Sequence, residues 1–104
     1  MALRQLSVQE RAEARRKALQ ARQARAELKA VFAAGEVGLA DVFARADAED
    51  AVARLRTMDL LLALPGVGEV RAREAMAGCG ISPRRRLGGL GRRQREALIA
   101  YIGR

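Results

Sequence analysis

An all-α fold is predicted by three observations. Ala, Leu, Arg and Glu dominate the 104 residues, and all are good helix formers. Large apolar residues recur at helical spacing, as in Leu39, Val42, Phe43 and Ala46. Glycine pairs or clusters then break the chain at Gly35 and Gly38, Gly66 and Gly68, Gly78 and Gly80, and Gly88 to Gly91, and a fresh helical pattern follows each break. The length suits one small domain. Much of the 50% hydrophobic content is alanine and only 3% is aromatic, so the core is thin and aliphatic.

The first helix runs from about Ser7 to Ala34. Ser7 and Glu10 have capping-box spacing, the interior lacks Gly and Pro, and Gly35 and Gly38 end it. Leu28, Val31 and Phe32 can pack on a core. Between Ala12 and Ala26 the only large apolar residue is Leu19, while Arg11, Arg15, Arg16, Lys17, Arg22 and Arg25 crowd the same half. Such a helix buries little, so its first half is expected to project, fray when free and order on a polyanion. Leu39 to Ala46 form a short amphipathic helix. Asp47, Glu49 and Asp50 then make an acidic patch on a solvated face, before a short helix carrying Val52 and Leu55.

Thr57 is expected to cap a helix through Met58, Leu60, Leu61 and Leu64. Pro65 stops it, because proline donates no backbone bond and forces its predecessor out of the α region. Gly66 and Gly68 permit positive φ. The next helix carries Val70, Ala72, Met76 and Cys79 as its apolar members and ends at Gly78-Cys79-Gly80. Ile81 returns to the core. Ser82 followed by Pro83 reads as an N-cap and first helical position. Arg84, Arg85 and Arg86 precede the turn Gly88-Gly89-Leu90-Gly91. A last helix spans about Arg92 to Ile102, with Leu98, Ile99 and Ile102 inward and Arg92, Arg93 and Arg95 at its start.

The charge is strongly basic: 20 Lys and Arg against 12 Asp and Glu, a net +8. It is also polarised. Residues 64–104 carry nine basic and three acidic residues, whereas 32–63 carry three and six. This excess points to a polyanionic partner. Lys17 and Lys29 are the only lysines, and arginine gives forked phosphate contacts that lysine cannot. Cys79 is the single cysteine and histidine is absent, which excludes a disulfide framework and a Cys/His zinc site. No apolar run is long enough to cross a bilayer and no secretory leader is visible, so the expected location is the cytoplasm. No cofactor, metal or small-molecule substrate is expected.

A tight turn at Leu64-Pro65-Gly66-Val67-Gly68 with a helix starting at once turns several unpaired N–H groups and the positive end of a helix dipole outward. That is an anion site. It resembles the helix-hairpin-helix element of DNA-binding proteins that do not read sequence. Arg71 and Arg73 stand in the first turns of the helix. Glu69 suits the dipole but repels a close phosphate. Arginines at the start of the last helix oppose its dipole, which makes sense if a phosphate binds there.

The whole pattern resembles the actinobacterial integration host factor family. The resemblance rests on Leu61 to Gly68, Val70-Arg71-Ala72, Gly80-Ile81-Ser82, Arg85-Arg86, Gly89-Leu90-Gly91 and Gln94, with the start Met1-Ala2-Leu3 and the long basic helix also alike. It implies a long N-terminal helix, residues 1–34, packed on a small helix–two-turn–helix domain, residues 35–104. It implies a nucleoid-associated protein, monomeric when free, that binds duplex DNA with little sequence preference, bends it and alters its topology, supporting phage integration and global gene expression. The DNA contacts it implies are Pro65, Gly66, Val67, Gly68, Arg71 and Arg73 at the first turn. They continue with Arg84, Arg85, Arg86, Gly89, Leu90, Gly91, Arg92 and Arg93 around the second, and Arg15, Arg16 and Arg22 on the helix. Glu69 and Gly88 depart from the family, where both positions are usually basic.

Two other readings compete with this one. Structured RNA is the alternative partner, because a ribosomal protein of the small subunit carries a similar two-turn element. A DNA glycosylase would need a catalytic group near the turn, yet both lysines lie in the N-terminal helix and no carboxylate pair converges there.

Overall fold

The computed structural model describes residues 5–103, so Met1-Ala2-Leu3 lie outside the described residues. Among the described residues the chain forms six α-helices and one short 3-10 turn, and no strand.

Helix α1 spans Val8–Ala33. Ser7 accepts the Glu10 N–H at 3.0 Å and the Glu10 carboxylate accepts the Ser7 N–H at 3.1 Å, so the capping box forms. Residues 11–20 are exposed throughout, and burial is complete only at Leu28 and Phe32. These two residues fasten the C-terminal part of the helix to the core; fully burying such a side chain contributes about 1.5–3 kcal/mol. The helix turns back at Gly35, whose φ is +78°.

Helix α2, Leu39–Ala48, buries Leu39, Val42, Phe43 and Ala46, as the spacing predicts. Its start is closed from Asp41, whose carboxylate accepts the Gly38 N–H at 3.0 Å. Helices α3, Asp50–Ala53, and α4, Thr57–Leu62, follow. Thr57 is not the cap: Arg56 holds that position, and Thr57 is buried with its hydroxyl lacking a hydrogen-bond partner among the described residues. Its backbone N–H instead donates to the Arg85 carbonyl at 3.0 Å. Leu87 N–H donates to Leu55 O at 2.9 Å, completing an isolated antiparallel bridge between Arg56 and Arg86.

That bridge overturns one expectation. Ser82-Pro83 opens no helix, because the chain there makes a turn, with Arg85 N–H to Ser82 O at 3.0 Å, and is then drawn into extended pairing at Arg86. The 3-10 turn η1, Leu87–Gly89, follows, and Leu87 is fully buried. Helix α5, Glu69–Gly78, buries Ala72, Ala75 and Met76. Val70 is 73% exposed, contrary to expectation, because the buried face of α5 is set by alanines and Met76 instead. Helix α6, Arg92–Ile102, buries Leu98 and half-buries Ile99 and Ile102.

One core unites these elements: Leu28 and Phe32, the α2 face, Val52, Leu60, Leu61, Met76, Ile81, Leu87 and Leu98. No helix among the described residues is long and apolar enough to cross a membrane.

Candidate nucleic-acid interface

Two glycine turns each deliver the chain into a helix. At the first, Val67 N–H donates to Leu64 O at 3.2 Å and Gly66 takes φ +78°, which a side chain would oppose. Gly68 has φ −92° and ψ −177°, so it is the extended N-cap of α5 rather than a positive-φ residue. The first helical bond is Ala72 N–H to Gly68 O at 3.0 Å. The amides of Glu69, Val70 and Arg71 therefore lie in the open first turn of α5. Pro65, Gly66 and Gly68 are exposed, and no atom lies within 4 Å of where a Cβ on Gly66 or Gly68 would sit. Val67 is half-buried against the core.

Arg71 makes no side-chain hydrogen bond or ion pair among the described residues. Arg73 is held by Glu69, Nη2 to Oε1 at 2.6 Å, with both side chains about two-thirds exposed. The acid at the first helical position thus engages an arginine beside the turn. A groove of about 520 Å³ runs alongside, lined by Pro65, Val67, Arg71, Glu74 and Tyr101. Tyr101 is 54% exposed and lies against Gly78, where a Cβ would be 3.5 Å from its ring. Sequence reasoning missed this aromatic residue because it falls on the last helix, far along the chain from the turn.

The second turn is built differently. Gly89 N–H donates to Arg86 O at 2.9 Å, and Leu90 N–H to Leu87 O at 3.2 Å. Gly91 N–H is taken by Gln94 Oε1 at 3.0 Å, while Gln94 Nε2 donates to Gly80 O at 2.8 Å. Gln94 thereby ties the second turn to the chain that leaves the C-terminal end of α5. Leu90 buries its side chain. Arg85 folds over the turn, Nη1 to Gly89 O at 3.4 Å. Arg84 and Arg93 are exposed and make no side-chain bond among the described residues, whereas Arg92 pairs with Glu96 at 3.1 Å.

Arg95 behaves otherwise than its place in the sequence suggests. Its side chain is 19% exposed; Nε donates to Leu90 O at 3.1 Å, Nη1 meets Asp47 Oδ2 at 2.9 Å, and the guanidinium lies 5.1 Å from the centre of the Phe43 ring. It is a strut between α2 and α6. The hydrogen bond from Arg95, aided by its charge, holds the Asp47 carboxyl below the ordinary carboxylate range. The other expected acids are also engaged: Glu49 with Arg45 at 3.0 Å, and Asp50 with Arg54 at 3.2 Å. Burial pushes the Cys79 thiol up, as for a small residue packed against the core.

Arg54 and Arg56, in the segment read as an acidic centre, face a cleft of about 490 Å³ against α1. Arg22 and Arg25 of α1 and Arg86 beside the second turn line the same cleft. Arg15 and Arg16 lie further out on α1, Arg16 paired with Glu13 at 3.2 Å.

This architecture is that of an S13-like H2TH domain, and the family so described matches residues 32–102. The chain is 46% identical to an integration host factor of Mycobacterium tuberculosis over 103 residues, covering 99% of this chain and 98% of the relative. It is 40% identical to an integration host factor of Streptomyces coelicolor over 103 residues, covering 99% and 96%. A solved structure of sIHF bound to an 8-base-pair palindromic DNA superposes with a TM-score of 0.78 at 38% identity, covering 82% of this chain and 96% of that one. The chain belongs to the integration host factor family.

Proposed function

We propose that the protein is an architectural DNA-binding protein of the nucleoid that holds duplex DNA by its phosphates. The observation that carries this reading is the pair of glycine turns, each opening onto a helix, with Gly66 at φ +78° in the first and Gly91 held by Gln94 in the second, and arginines beside both. Open amides at the start of α5, together with Arg71 and Arg73, take one stretch of backbone; Arg84, Arg85, Arg86, Arg92 and Arg93 take another. Pro65, Gly66, Val67 and Gly68, and Gly89, Leu90 and Gly91, contribute through their main chain. Residues 1–34 act as a basic arm on the domain formed by 35–104, with Arg15, Arg16 and Arg22 extending the footprint.

Phosphate contacts position a protein without reading bases, so preference arises from how easily the DNA deforms. Bending a site costs on the order of 1–6 kcal/mol, which additional charged contacts can offset. The protein acts as a monomer in the cytoplasm, bends DNA, alters its topology, and supports phage integration and global gene expression. It performs no catalysis. Structured RNA is the less favoured partner, since the superposed relative holds DNA.

The test is a titration of two duplexes of unrelated sequence, with a parallel relaxation assay on circular plasmid. Arg84→Ala with Arg85→Ala should weaken binding to both duplexes by the same factor, about tenfold or more for two lost charge-assisted contacts. Loss confined to one sequence, or no change in plasmid topology at saturating wild-type protein, would refute the reading.

A further inference from the structure

Each helix that leaves a turn has a glycine N-cap, Gly68 for α5 and Gly91 for α6. The first turn of α6 holds no acid, and its capping partner is the neutral Gln94. The first turn of α5 begins with Glu69. A carboxylate there stands where the helix dipole favours an anion, which is also where a DNA phosphate gains most. Glu69 in addition holds Arg73, Nη2 to Oε1 at 2.6 Å. Of the two arginines beside this turn, one is therefore already engaged. Nothing lies within 4 Å of a Cβ built on Gly66 or Gly68, so the way to the turn is open in space and the obstacle is charge alone. The two paired side chains are 65% and 66% exposed, so water and salt screen the pair and it can exchange partners.

We propose that Glu69 is an internal competitor for phosphate at the first turn: its carboxylate holds Arg73 in the free protein, and the DNA backbone must displace it to gain that arginine. The inference rests on the DNA-binding reading above. The exchange opposes binding in two ways. An ion pair is broken, and a carboxylate remains beside the incoming phosphate, where like charges repel. The second turn has no such competitor. Arg84 and Arg93 are exposed with no side-chain bond among the described residues, and the acid that pairs with Arg92, Glu96, lies beyond the first turn of α6. The second turn is thus the stronger hold, and Glu69 sets how much the first one adds.

The experiment measures affinity for a 30-base-pair duplex by fluorescence anisotropy across a salt series. It uses the full chain and its Glu69→Gln, Arg73→Gln and Glu69→Gln/Arg73→Gln variants. Glu69→Gln should tighten binding at low salt by about fivefold, the effect of one charge interaction at close range in water. It should also steepen the log–log salt slope by about 0.9, the share of one added phosphate contact. In the Arg73→Gln background the same substitution should leave the slope unchanged and gain about twofold or less, because no arginine is released. Glu69→Gln that binds like wild type overturns the inference. So does an equal gain in both backgrounds, which would make Glu69 a plain repelling charge. If Glu69→Gln does not melt cooperatively, Glu69→Ala is read in the same way. Wild type that ignores the duplex at low salt refutes DNA binding itself; wild type that binds, with Glu69→Gln no tighter, refutes only the competitor.

Discussion

Arg95 shows how the same residue type serves two purposes in one short chain. Arg92 and Arg93, just before it in the same helix, are exposed, whereas Arg95 bridges Leu90 O, Asp47 and the Phe43 ring. Removing it takes the donor from the Leu90 carbonyl and strips a mostly buried side chain off the Phe43 ring, so Arg95→Ala should lower folding stability by about 1–3 kcal/mol in denaturant titration. Its DNA affinity, measured where the variant is folded, should stay near wild type. Asp47 adds a pH signature. Its folded pKa is depressed, so the stability it contributes is present above the ordinary carboxylate range and is lost as pH falls through the lowered value. Asp47→Asn should therefore melt below wild type at neutral pH, with the gap closing in strong acid. A gap independent of pH would remove the ion pair from the account.

At the scale of elements, the contact between α3 and η1 explains why Gly88 is not basic here. A Cβ at Gly88 would sit 2.9 Å from the Ala53 Cβ and 3.3 Å from the Ala53 carbonyl oxygen. Neither atom is the end of a flexible side chain, so an arginine here must push the two elements apart. Gly88→Arg should lower the melting temperature by several degrees, corresponding to about 1–3 kcal/mol of overpacking. Adding Ala53→Gly should recover part of the loss. If Gly88→Arg melts like wild type, the close approach is not a constraint.

The element boundaries are largely legible in the sequence. Capping at Ser7 and Glu10, the apolar spacing from Leu39, the stop at Pro65 and the glycine breaks each act through the local backbone, which a sequence displays directly. What was hidden depends on pairing between distant segments. Ser82-Pro83 carries a valid local helix signal, but Leu55, Thr57, Arg85 and Leu87 exchange main-chain bonds that override it. The same pairing makes Thr57 a buried residue instead of a cap. Of the candidate interface, the two turns and their arginines were visible as motifs. Tyr101 beside the first turn and Arg54 and Arg56 in the cleft were not, because neighbours in sequence give no sign of them.

On the scale of the whole molecule, the distribution of charge matters more than any one pair. The ion pairs are mostly between exposed side chains, and such pairs contribute about 0–1 kcal/mol each. They do little for stability. They do engage many of the acids, leaving a net charge of +8 expressed by arginines around the turns, in the cleft and along α1. The radius of gyration, 15.9 Å, exceeds the about 13 Å of a compact chain of this length, as expected for a shape that spreads charge over a long surface.

The central claim is that DNA is held through its phosphates, and the salt dependence of duplex affinity measures this most directly. With about six phosphates neutralised, the logarithm of the binding constant should fall against the logarithm of salt concentration with a slope near −5. A slope near zero at measurable affinity would contradict the account.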